Sequence, residues 1–348
     1  MTLGGAQSFE LLLDTGSTTL GVASAGCSAC TAAGVSSLYQ PGASAVDEHA
    51  TADAGYGALG TSGWSGEIYE DWVGTQGAPD MARVKLGAIT EESQFLVGTC
   101  GGGPPGGVIG FAWGADALPG TDGFFDQVVA AGALPDVFAT RFCPTEGTLW
   151  LGGYDPAFTT ASPQFTPMTL TGGAFTTGLG VYVVDLVSIT VLGTTVPIAS
   201  ASFPGTMLDT GASVGSLPPD ALSALTSAIA SSPAFAQVFG SAASSFFTST
   251  ANHVALAQTK ARLDAALPPV TLTFGASNPI SVQAVATEGY LVSNVPGEWS
   301  PSFAPRAPDD ATYPGIAAIL GPPILRSSIV IFDRAGKRIG FAPHAACP

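Results

Sequence analysis

The chain has 348 residues and a formal charge of −16, from 10 Lys and Arg against 26 Asp and Glu. That balance leaves no basic patch to neutralise phosphates, which excludes nucleic acid as a partner. No run approaches the roughly 20 apolar residues of a membrane-spanning helix, and the N-terminus lacks the basic-then-apolar pattern of a signal peptide.

Gly is 45, Pro is 27 and charged residues are only 10% of the chain, so short apolar runs sit between turn residues. This reads as mostly β, in a chain long enough for two domains. In acid the Lys, Arg and His side chains together reach at most about 13 positive charges. Self-repulsion at low pH is therefore limited. Cys27 and Cys30 form a C-x-x-C, and Cys100, Cys143 and Cys347 complete an odd set of five. A zinc site needs a second such pair, and a thioredoxin-like role needs a βαβ setting. One further bond among the remaining three is expected, with its pairing left open.

In chain order, residues 7–13 predict a strand feeding Asp14 within Leu12-Leu13-Asp14-Thr15-Gly16-Ser17. Residues 26–57 read as loop-rich. From Leu59 to Asp71, turn residues between strand-like segments predict a hairpin. Gly101 to Gly107 lacks the Lys and the helix of a phosphate loop and reads as a surface loop. Gly107-Val108-Ile109-Gly110 follows as a strand, and Phe124 to Ala131 as a short helix. Pro156, Pro163 and Pro167 interrupt the pattern where two lobes divide, giving lobes 1–162 and 163–348. Then comes Met207-Leu208-Asp209-Thr210-Gly211-Ala212-Ser213. Leu222, Leu225 and Ile229 at helical spacing predict a helix over 218–231. Residues 232–262 read as a partly helical insertion, and 294–315, with five prolines, as a surface loop. Ala318-Ile319-Leu320-Gly321 closes the pattern and is followed by Pro322-Pro323.

Two copies of one unit stand out. Each has apolar residues running into Asp-Thr-Gly, a long excursion, and then apolar-apolar-Gly. The aspartates are 195 residues apart, and the glycine echoes Gly110 and Gly321 follow them by 96 and 112 residues. Glycine after such an aspartate lets a backbone N–H approach the carboxylate. Threonine can tie two such turns together. Two carboxylates held face to face share a proton and titrate as a pair. One then takes a proton from water while the other gives one to a carbonyl.

These motifs resemble the pepsin-like aspartic proteases, from Gln7-Ser8-Phe9 to Phe341-Ala342-Pro343. Phe332-Asp333-Arg334 with Ile339-Gly340-Phe341 resembles the family's closing hairpin, Leu149 to Gly153 the strand closing its first lobe, and Leu267 to Leu272 a second-lobe strand. The resemblance implies an all-β, bilobal fold of two related β-barrel-like lobes with a cleft between them. It implies an aspartic-type endopeptidase working at acidic to mildly acidic pH, with Asp14 and Asp209 catalytic. Thr15, Gly16, Ser17, Thr210 and Gly211 would support the pair. Tyr56, Leu59, Gly60, Trp64 and Ser213 would contact substrate, with the 59–71 hairpin in the place of the family's flap. It also implies a Cys27–Cys30 bridge, no metal or organic cofactor, a peptide or protein substrate, sensitivity to pepstatin-type inhibitors, and a monomer. The family habit points to an extracellular or periplasmic location, against the absent signal peptide. More chain usually precedes the first Asp-Thr-Gly in that family, so an outer N-terminal strand of the sheet is expected to be missing.

The sequence also departs from the pattern. The family's flap Tyr falls in register with Leu59, with Tyr56 three residues earlier, and its partner Trp falls on Gly21. Those two departures support an alternative reading, a catalytically weak pepsin-fold binding or inhibitor protein.

Overall fold

The computed structural model describes the chain except for residues 58–60, 76, 98–102, 113, 115–121, 144–145, 170–179, 199–202, 204, 308–312, 314 and 346–348. Leu59, Gly60, Cys100 and Cys347 therefore lie outside the described residues. The chain divides into two compact units, Met1–Pro135 with Ala174–Val181, and Asp136–Gly173 with Tyr182–Pro348.

The first unit is built on one sheet. Its strands are β1 (Thr2–Leu3), β2 (Gln7–Ser8), β3 (Leu12–Asp14), β4 (Leu20–Ala23), β5 (Val46–Tyr56), β6 (Ser62–Thr75), β7 (Ala78–Ser93) and β8 (Gly107–Gly110). They run β2-β1-β6-β7-β4-β8-β3, with β5 added onto β6. Among the described residues, helices α1 (Ser28–Ala32) and α2 (Phe124–Ala130) accompany it. The segment read as one strand before Asp14 is two, β2 and β3. A short N-terminal strand, β1, does pair with β6.

Much of the stretch read as loop is the 11-residue strand β5. Its period of two is carried only by small residues, Ala50, Ala52 and Ala54, ahead of Tyr56, and most of the strand is exposed, so the alternation is weak. An edge strand gains from charged side chains, which discourage further pairing. A register shift between Asp47 and Thr51 breaks the ladder, and His49 there has φ 52°.

Packing in this unit gathers Ala23, Cys27, Cys30, Val35, Trp64, Ile68, Ile89 and Leu96 into one buried cluster. Cys27 and Cys30 are joined by a disulfide. Cys27 is also the N-cap of α1, its sulfur accepting from the Cys30 N–H at 3.0 Å. Elsewhere in the sheet Asp71 is wholly buried. Its carboxylate accepts from Tyr39 Oη at 2.8 Å, Ser44 Oγ at 2.7 Å and the Trp72 N–H at 2.8 Å. These donors offset the cost of placing a charge there.

The described residues of the second unit form four sheets. One contains β9 (Val137–Phe142), β10 (Gly147–Leu151), β11 (Gln164–Pro167), β24 (Ile329–Asp333) and β25 (Arg338–Ala342), in the order β10-β9-β24-β25-β11. β24 and β25 are the expected closing hairpin, with Ile331 opposite Gly340. The Leu149 to Gly153 segment contributes β10 here, within the second unit. Another sheet runs β12 (Val183–Val184), β15 (Thr206–Leu208), β23 (Ala318–Leu320), β16 (Gly215–Leu217), β22 (Phe303–Pro305). The remaining two are β14 (Thr194–Thr195), β13 (Leu186–Val191), β18 (Val270–Phe274), β19 (Ile280–Ala284), and β17 (Val254–Ala255), β21 (Glu298–Pro301), β20 (Leu291–Val295).

Helix α3 (Pro219–Ala230) buries Ala221, Leu225 and Ile229, close to the spacing read from sequence. Helices α4 (Pro233–Phe239) and α5 (Lys260–Ala266) flank the 232–262 insertion, followed by α6 (Ala286–Gly289). The proline-rich 294–315 stretch is not a plain loop, because it supplies β21 and β22. Pro301 and Pro305 each end a strand, where a missing N–H breaks no interior ladder. Pro322 and Pro323 also find their reason. They open the short helix α7 (Pro322–Leu325), whose N-cap is Gly321. Proline suits that first turn, since its fixed φ is helical and its absent N–H would have had no partner. Cys143 is disulfide-bonded, and its partner lies outside the described residues.

Candidate active site

Each unit builds the same device around its aspartate. In the first, β3 runs parallel to β8, with Leu12 opposite Val108, Leu13 opposite Ile109 and Asp14 opposite Gly110. β4 then returns on the far side of β8, antiparallel, with Leu20 opposite Ile109. The chain thus turns at Asp-Thr-Gly and crosses over the end of β8. Gly110 is required at that crossing. A β-carbon there would stand 2.5 Å from Ser17 O and from Thr19 N.

In the second unit β15 runs parallel to β23, with Thr206 opposite Ala318, Met207 opposite Ile319 and Leu208 opposite Leu320. β16 returns antiparallel on the other side of β23, with Ser216 opposite Ile319. Gly321 lies under this turn, and a β-carbon on it would meet Ala212 O at 2.8 Å. The two glycine echoes therefore have one cause, the close passage of the turn that follows each aspartate.

The carboxylates are held alike. Asp14 is 5% exposed and Asp209 is 7% exposed. Gly16 N–H donates to Asp14 Oδ1 at 2.8 Å, and Gly211 N–H donates to Asp209 Oδ1 at 2.8 Å. Thr15 and Thr210 are buried beside them. The settings differ at the position after Asp-Thr-Gly. Ser17 Oγ donates to Asp14 Oδ2 at 2.5 Å, while the matching position is Ala212, which has no hydroxyl. Ser213, a candidate substrate contact, is exposed. Gly211 to Gly215 also has the spacing of a serine-hydrolase elbow. Its setting is strand, turn, strand, whereas that elbow needs a helix after the serine.

Tyr56 and Trp64 meet in the first unit. Both belong to the β5–β6 hairpin, in which Tyr56 is opposite Ser62 and Ala54 is opposite Trp64. The Trp64 ring lies across a glycine notch. Gly21 and Gly87 are neighbours on β4 and β7. A β-carbon on Gly21 would stand 2.9 Å from the indole, and one on Gly87 would stand 2.6 Å from it. So Gly21, the position of the family's Trp, is empty of a side chain because an indole from another strand fills that space.

The Tyr56 hydroxyl is buried and faces the Trp64 indole N–H, the Ser17 hydroxyl and the charge of Asp14. Neither the Tyr56 hydroxyl nor the indole N–H closes a full hydrogen bond. Burial first, and then the Asp14 carboxylate, push the Tyr56 phenol up to about 12. Tyr56 and Trp64 are thus the aromatic residues found beside Asp14 and Gly21. Leu59 and Gly60 lie outside the described residues. Phe95, which stacks on Tyr56 at 4.6 Å between ring centroids, escaped the sequence reading, as did Gly87. A glycine inside a strand such as Lys85-Leu86-Gly87-Ala88 was the available signal for a close approach.

The chain belongs to the eukaryotic aspartyl protease family, whose model matches residues 1–344. Its architecture is that family's bilobal all-β fold, and its activity is that of an aspartic-type endopeptidase. Among curated proteins it is similar to an aspartic protease of Phaffia rhodozyma, 28% identical over 98% of this chain and 75% of the relative. It is 26% identical to pepsin A of Sus scrofa, over 98% of this chain and 79% of the relative. Pepsin-2B of Gadus morhua is also 26% identical, over 97% of this chain and 93% of the relative.

Proposed function

We propose that Asp14 and Asp209 form the water-activating pair of this endopeptidase. One observation carries the assignment. Two buried carboxylates, one in each unit, end equivalent parallel strands and accept a Gly N–H in the same way. One carboxylate acts as general base on the attacking water and the other protonates the substrate carbonyl. The tetrahedral species then collapses with those roles reversed. No covalent enzyme intermediate forms.

Thr15, Gly16, Ser17, Thr210 and Gly211 hold the carboxylates. The functional halves are proposed to follow the sequence repeat, 1–162 and 163–348, although residues 136–162 pack with the second compact unit. An extended peptide would bind beside the β5–β6 hairpin, contacted by Tyr56, Leu59, Gly60, Trp64 and Ser213. Such a strand-like substrate is held chiefly by main-chain hydrogen bonds, with pockets reading alternate side chains. The polarity near Asp14 is consistent with this reading. A slight closure would let the indole N–H donate to Tyr56 Oη, and Tyr56 donate to Ser17 Oγ, which already donates to Asp14. The enzyme is proposed to act as a monomer, in acid to mildly acidic solution, and to bind pepstatin-type inhibitors.

The test is digestion of a denatured protein between about pH 3 and 6, the range in which a carboxylate pair can share a proton, with and without pepstatin. Asp14→Asn and Asp209→Asn should each abolish cleavage while leaving the fold close to wild type. Substantial activity in either variant would remove the assignment.

A further inference from the structure

The end of β7 makes a turn that the peptidase reading leaves unused. The strand stops at Ser93, and Gln94 takes a left-handed φ of 50°. A residue with a side chain adopts that conformation only where its surroundings impose it. Glu92 imposes it here. Its Oε2 accepts from the Phe95 N–H at 2.9 Å and from the Leu96 N–H at 3.3 Å. A carboxylate clamping two successive N–H groups is a charge-assisted bond pair and fixes the chain direction.

The clamp sets two side chains. Leu96 is wholly buried in the cluster that contains Trp64 and the Cys27–Cys30 bridge. Phe95 is only half-buried, and its ring lies on Tyr56 at 4.6 Å and 25°. Glu92 is also the strand partner of Trp64. Both aromatic neighbours of Tyr56 are therefore referred to one residue.

We propose that the Glu92 turn is a brace for Tyr56. Glu92 and Phe95 are positioning residues. The carboxylate fixes the Phe95 backbone, and the Phe95 ring fixes the plane of Tyr56. That plane aims the phenol hydroxyl at Trp64, Ser17 and Asp14. Without the brace the Tyr56 ring swings free on the hairpin, and the polar groups beside Asp14 lose their register. Misplacement of about 1 Å at such a site is enough to cost rate. The proposal rests on the reading of Tyr56 as a substrate-side residue of the endopeptidase.

Two measurements test it, on the full chain. The first is steady-state cleavage of one peptide by wild type, Phe95→Ala, Phe95→Tyr, Glu92→Ala and Glu92→Gln. Phe95→Ala and Glu92→Ala should lower kcat/KM by about tenfold or more, as expected for lost positioning. Phe95→Tyr keeps the ring and Glu92→Gln keeps one acceptor oxygen, so both should recover most of the loss. The second is brief nitration by tetranitromethane, mapped by mass spectrometry. The buried Tyr56 hydroxyl should react slowly in wild type and several-fold faster in the two alanine variants.

Wild-type rates and wild-type nitration of Tyr56 in Phe95→Ala overturn the brace. Loss of activity with nitration unchanged overturns it too, because Phe95 then acts without holding Tyr56. If Glu92→Ala does not fold, the comparison of Phe95→Ala with Phe95→Tyr decides. A wild-type protein that cuts nothing removes the peptidase reading, and the nitration arm still decides the brace.

Discussion

Asp14 accepts hydrogen bonds at both oxygens, from Gly16 N–H and from the Ser17 hydroxyl, whereas the serine's counterpart beside Asp209 is Ala212. A donor to a carboxylate favours its charged form. The proposed pair is therefore asymmetric in its hydroxyl donors. Giving Asp209 a hydroxyl neighbour should even out the two sides. For Ala212→Thr, activity on one peptide measured from about pH 2 to 7, spanning carboxylate titration, should show an acid limb with a lower midpoint. An unchanged midpoint in an active variant would mean that this hydroxyl does not set the profile. The Asn variants of Asp14 and Asp209 belong to the same scale and ask the simpler question of whether either carboxylate is dispensable.

At the scale of elements, the β5–β6 hairpin and the β4–β7 pair fit through missing side chains. Trp64 is 4% exposed and fills the space above Gly21 and Gly87. The ring cannot yield easily, since it is rigid and packed in the disulfide-containing cluster. Gly87→Ala should therefore overpack the notch. The expected cost is about 1–3 kcal/mol, read as a lower midpoint in urea or on heating. The Trp64 emission should shift as the ring is displaced. An unaltered midpoint and spectrum would show that the notch has room to spare. The paired crossings at Gly110 and Gly321 have backbone, not side chain, as the near neighbour, so substitution there offers no flexible group to move.

For the molecule as a whole, buried phenols set the alkaline limit. Tyr39 is wholly buried against Asp71. Its phenol is held well above the usual range, first by burial and then by its hydrogen bond to Asp71 and the charge there. Tyr290 is raised for related reasons, burial first and the Asp264 charge second. A folded value above the unfolded one means that the folded state holds its proton more tightly. The associated stability is complete below about pH 10, the unfolded value, and is lost as pH rises from there through the folded value. Thermal midpoints should thus fall steeply above about pH 10. Tyr39→Phe should lose about 1–3 kcal/mol at neutral pH, because the buried Asp71 is left short of a donor. Above pH 10 its stability should fall less steeply than that of wild type. Parallel curves for the two proteins would remove Tyr39 as the responsible group.

The sequence by itself determined the repeat, the two aspartates, the glycines behind them and the mostly β character. These are local or periodic features. Asp-Thr-Gly and its apolar lead-in are contiguous, and a glycine forced by backbone contact cannot be exchanged for anything else. The helix at Leu222, Leu225 and Ile229 was legible for the same reason, as its period is written in the chain. The C-x-x-C bridge was reached through family resemblance rather than spacing. Tertiary structure decided what depends on distant residues. β5 was hidden because its alternation rests on small alanines in a mostly exposed edge strand, and its pairing with β6 is what defines it. The prolines of 294–315 pointed to a loop, yet Pro301 and Pro305 end strands that are paired to neighbouring strands. Most of all, the seating of the Trp64 ring on Gly21 and Gly87 could not be read along the chain. An indole is placed by the space it fills, and that space was made by Gly21 and Gly87, on two other strands.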